Sequence, residues 1–195
     1  YTMGTLVGDT EKILDHLGVK DCLFVGLSIG GLVAQGLAAK RLDLIRAMVL
    51  SNTGAKIGTR AMWDDRIAAI GASGREAAAD TILERWFSAK FRATPEIAQW
   101  HEMLVSTPLE GYLGCAAAIA GTDFYSTTAT LTLPTLAIAG SEDGSTPPDL
   151  VRETAGLIKG SSVHLVRGAG HLPCVEKPQE FAQVLGEFIT STGHI

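Results

Sequence analysis

Hydrophobic positions along this chain form two patterns, short unbroken apolar runs and longer stretches with helical spacing. Short apolar runs are typical of strands buried inside a sheet. They predict four strands, at residues 22–25, 45–51, 135–139 and 163–166, with Pro134 marking the start of the third. We expect the first strand to be covered on both faces, because it is apolar throughout.

Between these runs, apolar residues recur every three or four positions, which predicts amphipathic helices. The predicted helices cover residues 3–17, 29–40 and 147–158, and a last one begins at Pro178. Gly18 follows the first helix as a C-terminal cap. Alternation of strands and helices implies a parallel sheet with right-handed crossovers, so the predicted fold class is α/β.

Residues 57–128 interrupt the alternation. This stretch is rich in alanine, contains all three tryptophans and has helical periodicity without a convincing strand. We interpret it as a helical lid inserted between two strands of a core formed by residues 1–56 and 129–195. Lids of this kind control substrate selectivity and exclude water.

Composition excludes several classes of function. A hydrophobic content of 46% indicates a folded core, and a net charge of −5 without a basic block argues against nucleic acid or an anionic membrane as partner. No apolar run is long enough to cross a membrane, and no charged-then-apolar leader opens the chain. Cys22, Cys115 and Cys174 are widely spaced, which predicts neither disulfides nor a metal site and favours a reducing cytoplasm. Without nucleotide-binding or zinc motifs, we expect no cofactor and no metal.

The candidate nucleophile lies in the stretch FVGLSIGGLV, residues 24–33, where Ser28 stands between Gly26 and Gly30. A strand that turns directly into a helix strains the residue at the turn, and flanking glycines leave room for the close crossing. The turn residue then projects beside a helix N-terminus, which favours negative charge. Gly-x-Ser-x-Gly also occurs by chance, but its position between strand and helix favours a nucleophile elbow.

A serine needs a base to become nucleophilic, and five histidines are available. Four of them have ordinary contexts. His16 lies in the first predicted helix and His101 in the lid, whereas His164 lies in a predicted strand and His194 near the end of the chain. His171 differs because it follows a Gly-Ala-Gly turn just past the C-terminal end of a strand, where parallel sheets assemble their sites. The alternative is that His171 has a structural role in its loop.

The third member of such a site is a carboxylate that orients the base. The loop after the third strand offers Glu142 and Asp143, whereas residues 52–56 contain no acid. We prefer Asp143, because Gly144 beside it lets the loop turn sharply, and Glu142 remains the alternative. The chain order Ser28, Asp143, His171 is the order that distinguishes α/β-hydrolases from other folds with a serine triad.

Apart from its start, the chain resembles the α/β-hydrolase family in these segments and in others. Within that family it is similar to the 3-oxoadipate enol-lactonases. The segments that carry the resemblance are Gly26-Leu-Ser-Ile-Gly-Gly31, Trp63-Asp-Asp-Arg-Ile67, Arg85-Trp-Phe87, Glu110-Gly-Tyr112, Pro134-Thr-Leu, Gly140-Ser-Glu-Asp143 and Gly170-His171. The lid segments decide the choice of subfamily. The resemblance implies Ser28 as nucleophile, His171 as general base and then acid, Asp143 as its orienting partner and the Ile29 N–H as an oxyanion donor.

The resemblance also implies an activity. Such enzymes hydrolyse an enol-lactone to 3-oxoadipate in aromatic-acid catabolism, the beta-ketoadipate pathway, without metal or cofactor. The expected substrate is therefore a small lactone or ester that carries a carboxylate. The alternatives are another esterase or a carbon–carbon bond hydrolase with the same triad, or a hydrolase-fold protein that only binds a ligand; a haloalkane dehalogenase would need Asp in place of Ser28.

One departure from the family concerns the start of the sheet. The family begins with further strands, and a His-Gly motif after one of them donates a second oxyanion N–H; neither is found in these 195 residues. We therefore expect the N-terminal part of the sheet to be absent from this chain and a segment before Tyr1 to be the partner that completes it. Losing one oxyanion donor costs on the order of 10²–10³ in rate, so we expect weak catalysis from these residues alone.

The lid contains candidate substrate-binding residues. Trp63 and Arg66 are three positions apart in a helical stretch, so both can face the same side. We expect Arg66 to bind the substrate carboxylate with two hydrogen bonds while Trp63 packs on the ring, and Trp86 to line the same pocket. The alternative is that Arg66 pairs with Asp64 or Asp65 at the surface and that the tryptophans belong to the lid's own core.

Overall fold

The computed structural model describes residues 1–193, so His194 lies outside the described residues. It contains a four-stranded parallel sheet with the strand order β1-β2-β3-β4. The strands are β1 Cys22–Leu27, β2 Ile45–Ser51, β3 Thr135–Gly140 and β4 Ser162–Val166. All four predicted strands are confirmed, and their C-terminal ends meet at one edge of the sheet.

The predicted helices are also confirmed within a residue or two at most ends. The helices are α1 Met3–His16, α2 Ile29–Lys40, α3 Arg60–Ser73, α4 Ala79–Trp86, α5 Ala89–Arg92, α6 Ile97–Ser106, α7 Leu109–Ala120, α8 Tyr125–Thr128, α9 Pro148–Gly156, α10 Pro173–Glu176 and α11 Pro178–Ser191. Gly18 has a φ of +65° just past the end of α1, a conformation that suits the predicted glycine cap.

Helices cover both faces of the sheet because side chains alternate along each strand. Met48 and Leu50 of β2 pack into the cluster that includes α1 and α2, and the neighbouring β3 positions on the same face pack against α9. Val49, between them, belongs to the opposite cluster, where Phe181 and Phe188 of α11 cover the sheet. The two central strands are therefore buried on both sides, as their unbroken apolar runs require.

The prediction that β1 is covered on both faces is wrong for the described residues. Within residues 1–193, β1 pairs only with β2, and Val25 is 42% exposed. The apolar positions of the first predicted helix are likewise buried only in part, because Met3 and Val7 are buried while Ile13 and Leu17 are exposed. An apolar run reports the tendency to be buried, whereas actual cover depends on which elements lie beside it.

Between β2 and β3 the chain is helical, with α3 to α8 and one 3₁₀ turn at Glu76–Ala78. Part of this stretch, residues 57–128, packs around an apolar cluster of its own, made of Ile70, Ala79, Ile82, Leu83, Phe87 and Leu104. We call residues 57–128 the lid. Among the described residues, no single helix is long and apolar enough to span a membrane. Helices α6 and α7 reach that length and apolar composition only when taken together, and a bend of 93° separates them.

Candidate active site

Ser28 occupies a strained turn between β1 and α2, with φ 55° and ψ −118°. Two glycines allow the chain to cross itself there. A Cβ on Gly26 would lie 2.3 Å from the Gly30 carbonyl oxygen, and a Cβ on Gly31 would lie 2.4 Å from Thr53. Gly30 itself has open space around its Cα, so the crowded positions are Gly26 and Gly31 rather than the Gly26 and Gly30 of the motif.

Hydrogen bonds with the end of β2 and the loop after it hold this turn. The Ser28 N–H donates to the Ser51 carbonyl at 3.0 Å, and the Ser28 carbonyl accepts from the Thr53 hydroxyl at 2.7 Å. The Ser28 hydroxyl does not cap α2, although Ser28 occupies the N-cap position. Ile29 is the first residue of α2, so its N–H has no acceptor within the helix. An acceptor-free N–H beside the hydroxyl is the arrangement that an oxyanion requires.

Asp143 and His171 are joined by a buried hydrogen bond of 2.8 Å between Asp143 Oδ2 and His171 Nδ1. They follow β3 and β4, and both are about 95% buried. An ionised carboxylate only accepts hydrogen bonds, so Nδ1 of His171 carries the hydrogen of this bond, and Nε2 is the ring nitrogen on the other side. Glu142, by contrast, is exposed. Its backbone N–H donates to the Ala169 carbonyl. The geometry thus favours Asp143 over Glu142.

Further donors surround the Asp143 carboxylate. Oδ1 accepts from the N–H groups of Ser145 and Thr146, at 2.7 and 3.0 Å. Oδ2 accepts from the Thr146 hydroxyl at 2.7 Å and from the Asn52 amide at 2.9 Å, besides His171. Burial by itself would raise the pKa of Asp143, but hydrogen bonds and attraction from His171, followed by those from Asn52 and Thr146, outweigh it and lower that pKa. The group therefore stays ionised at neutral pH.

Sequence reasoning missed Asn52, because the loop after β2 was searched only for acids. Its amide also donates to the Gly170 carbonyl at 3.2 Å, so it links both loops of the site. Asn52 has a φ of 48°, a left-handed conformation that Asn tolerates better than most residues. The signal that could have found it is an Asn placed directly after a buried strand, at the sheet edge where the other site residues lie.

The end of α4 fastens the lid to both loops. The Arg85 carbonyl accepts from the Gly144 N–H at 3.1 Å, and the Trp86 carbonyl accepts from the His171 N–H at 2.7 Å. Glu176 adds a further link, because its carboxylate accepts from the N–H groups of Gly170, at 2.7 Å, and Ser88, at 3.2 Å. These hydrogen bonds fix part of the lid in position relative to Asp143 and His171.

A cavity of about 380 Å³ opens between the lid and the sheet edge. Its lining is mostly apolar and consists of Ser28, Ile29, Ile57, Gly58, Met62, Trp63, Arg66, Arg85, Trp86, Tyr112, Cys115, Ala116, Ile119, Ser145, Thr146, Pro147, Leu150 and His171. Six of the seven residues selected from the sequence therefore line one cavity, and the seventh, Asp143, lies behind His171. Arg85 and Tyr112 are lining residues to which sequence analysis assigned no role.

Arg66 and Trp63 face the cavity together. The Arg66 guanidinium lies 5.1 Å from the centre of the Trp63 ring, a cation–π distance. Asp64, one of the surface partners considered for Arg66, is engaged by Arg60 at 2.9 Å instead. Trp63 is buried, donates its indole N–H to the Ile57 carbonyl and packs in the cluster shared with α2, so it belongs to the main core as well as to the cavity wall.

The cavity wall offers no set of metal ligands. Over residues 1–193, no group of three or more His, Cys, Asp or Glu side chains could hold a metal ion. All three cysteines are free. Burial raises the pKa of the Cys22 and Cys174 thiols, which keeps them protonated at neutral pH.

Comparison with known proteins gives a consistent picture. Residues 1–184 match the sequence model of a family described as the alpha/beta hydrolase family. The chain is 32% identical to 3-oxoadipate enol-lactonase 1 of Acinetobacter baylyi over 192 residues, which are 97% of this chain and 72% of that protein.

Solved structures agree with the sequence comparison. The enol-lactonase from Burkholderia xenovorans superposes with a TM-score of 0.92 at 33% identity, over 97% of this chain and 74% of that one. A hydrolase from Pseudomonas aeruginosa superposes with a TM-score of 0.91 at 36% identity, over 97% of this chain and 72% of that one.

Proposed function

We propose that this chain, which belongs to the alpha/beta hydrolase family, is an ester-hydrolysing enzyme that opens an enol-lactone ring by way of Ser28, His171 and Asp143. The observation that carries the proposal is the buried bond from His171 to Asp143 beside the cavity that Ser28 lines. A neutral imidazole oriented by a carboxylate is the base that a serine nucleophile needs.

In the first half of the reaction, Ser28 Oγ attacks the lactone carbonyl while His171 Nε2 takes its proton. The tetrahedral oxyanion is stabilised by the Ile29 N–H at the start of α2. Collapse of the intermediate breaks the ring C–O bond and leaves an acyl group on Ser28. The departing enol oxygen receives the proton from His171, and the enol then becomes the stable ketone.

In the second half, His171 takes a proton from water, and the hydroxide adds to the acyl carbonyl. The Ser28–acyl bond breaks, Oγ regains the proton from His171, and the free acid leaves. Asp143 stays ionised throughout, because its lowered pKa keeps the negative charge that stabilises the imidazolium in both halves. No metal or cofactor takes part in this scheme.

An enol-lactone that bears a carboxylate fits this cavity better than a long neutral ester. The cavity is small and largely apolar, and Arg66 supplies a positive charge in its wall. The named relatives with this function support the choice of 3-oxoadipate enol-lactone, which would place the reaction in aromatic-acid catabolism. In this scheme residues 57–128 act as the lid over the core formed by residues 1–56 and 129–195, and Trp63, Arg66 and Trp86 contact the substrate.

The test is covalent labelling of the purified protein with a fluorophosphonate, followed by peptide mapping. We expect the label on Ser28, together with turnover of the enol-lactone. Ser28→Ala should abolish both and keep the thermal unfolding midpoint, because the hydroxyl contributes little packing. Label on another residue, or folded protein that takes no label, would contradict the assignment. Labelling at Ser28 without multiple turnover of any ester would indicate a ligand-binding protein, and turnover of neutral esters alone would indicate another esterase.

A further inference from the structure

Arg85 carries an unexplained feature. Its Nε is buried and has no hydrogen-bond partner, although a buried guanidinium N–H normally has one. Among residues 1–193, three other side chains contain such atoms, Arg75, Arg92 and Trp100, and none of them lines the cavity. Because the protein itself shields that Nε, a ligand would instead meet the part of the Arg85 side chain that lines the cavity.

The position of Arg85 is well defined by its backbone. Its carbonyl accepts from the Gly144 N–H at 3.1 Å, next to Asp143, and the following carbonyl accepts from the His171 N–H at 2.7 Å. A Cβ on Gly144 would lie only 3.1 Å from the Arg85 Cα, so the backbone of α4 and the backbone of the loop after β3 are in close contact. The side chain thus projects into the cavity from a point that is fixed relative to the acid and the histidine.

The cavity contains two cations and no carboxylate in its wall. Arg66 and Arg85 both line it, and neither forms an ion pair within the described residues. Two of the lid acids are engaged by other arginines, because Asp64 pairs with Arg60 and Glu84 lies 3.8 Å from Arg92. Burial lowers the pKa of Arg66, and repulsion from Arg85 lowers it further, so the two charges are close enough to interact. An anion between them would relieve that repulsion.

We propose that Arg85 is a second specificity-determining residue, which together with Arg66 forms a two-arginine site for the free carboxylate of the substrate. The inference rests on the proposed function, because it concerns a substrate attacked by Ser28 in the same cavity. Arginine matches a carboxylate with paired N–H donors, so two arginines can hold both oxygens and aim the scissile carbonyl at Ser28. The selected substrates are lactones and esters that carry a carboxylate, in preference to neutral compounds of the same size.

The experiment compares two enol-lactones that share one ring, one with a carboxymethyl substituent and one with a methyl group. Arg85→Ala should lower kcat/KM for the carboxymethyl lactone by at least about tenfold and change that for the methyl lactone by less than about twofold. Arg85→Lys keeps the charge without the paired donors and should give an intermediate loss. Arg92→Ala is the matched control, since it removes a lid arginine with a similarly buried Nε outside the cavity.

A second measurement separates this inference from the choice of lactone. Adipate should inhibit hydrolysis of nitrophenyl acetate, and its inhibition constant should rise by at least about tenfold in Arg85→Ala and not in Arg92→Ala. If the protein hydrolyses neither lactone but shows this shift, the lactone assignment fails and the carboxylate site stands. If both lactones lose activity equally in Arg85→Ala, or if adipate inhibition is unchanged, Arg85 has a structural role and the inference is overturned.

Discussion

The two sides of the cavity treat their charged groups in opposite ways. On the core side, the Asp143 carboxylate accepts five hydrogen bonds from protein groups, donated by the side chains of Asn52 and His171, the backbone of Ser145, and the backbone and hydroxyl of Thr146. On the lid side, Arg66 and Arg85 form no ion pair with a carboxylate within the described residues. The Arg66 guanidinium lies over the face of the Trp63 ring instead.

This difference separates two tasks. A charge that acts in every cycle is stabilised in advance, so that no reorganisation is needed when the imidazolium forms. A charge that recognises a ligand is left without a protein partner, because a partner would compete with the ligand for it. The comparison predicts that core-side substitutions affect every substrate, whereas lid-side substitutions affect only substrates that carry the matching charge.

The largest expected effect is on the core side. Asp143→Asn should lower kcat by about 10⁴-fold for charged and neutral substrates alike, because the amide leaves His171 in the wrong tautomer. Steady-state kinetics on the enol-lactone and on nitrophenyl acetate measure both losses.

The matched control is Glu142→Gln in the same loop. Glu142 is exposed, so the change should alter kcat by less than about tenfold, which corresponds to roughly 1.4 kcal/mol. A large loss in Glu142→Gln with a small one in Asp143→Asn would mean that the other carboxylate orients the histidine.

A smaller and selective effect is expected on the lid side. Arg66→Ala should lower kcat/KM for the carboxylate-bearing lactone by about 10- to 100-fold, as the loss of a charge-assisted hydrogen bond of ~1.5–3 kcal/mol implies. Hydrolysis of nitrophenyl acetate should change little, because that ester has no carboxylate. Equal losses on both substrates would show that Arg66 supports the lid and would remove the contrast between the two sides.

The smallest effect on activity is expected where the two sides are joined. Glu176→Gln removes the charge that accepts from Gly170 and Ser88, so the free energy of unfolding should fall by about 1–3 kcal/mol while kcat changes by less than tenfold. Glu180→Gln, which removes the charge from a half-exposed contact with His164, is the control and should cost less than about 1 kcal/mol. Urea denaturation measures both, and equal costs would contradict the assignment of Glu176 as the link.

Several features of the molecule could be predicted from local patterns alone. The apolar runs and helical spacings predicted β1 to β4 and the helices around them, because each depends on residues that are close in sequence. The turn at Ser28 was predictable for the same reason, since the strand, the glycines and the helix start lie within a few positions. The C-terminal ends of parallel strands meet at one edge, so the neighbourhood of Ser28 and His171 also followed from their positions after strands.

Other features were decided only by the tertiary structure. The choice of Asp143 over Glu142 depends on which neighbour points towards His171, and Asn52 reaches Asp143 across 91 positions of the sequence. The requirement for Gly31 comes from Thr53 in the loop after β2, and the exposure of Val25 comes from the position of β1 at the edge of the described sheet. Arg85 is a lid residue whose place in the cavity wall follows only from the packing of the lid against the core. Local periodicity determines which elements form, whereas contacts between distant segments determine which side chains meet.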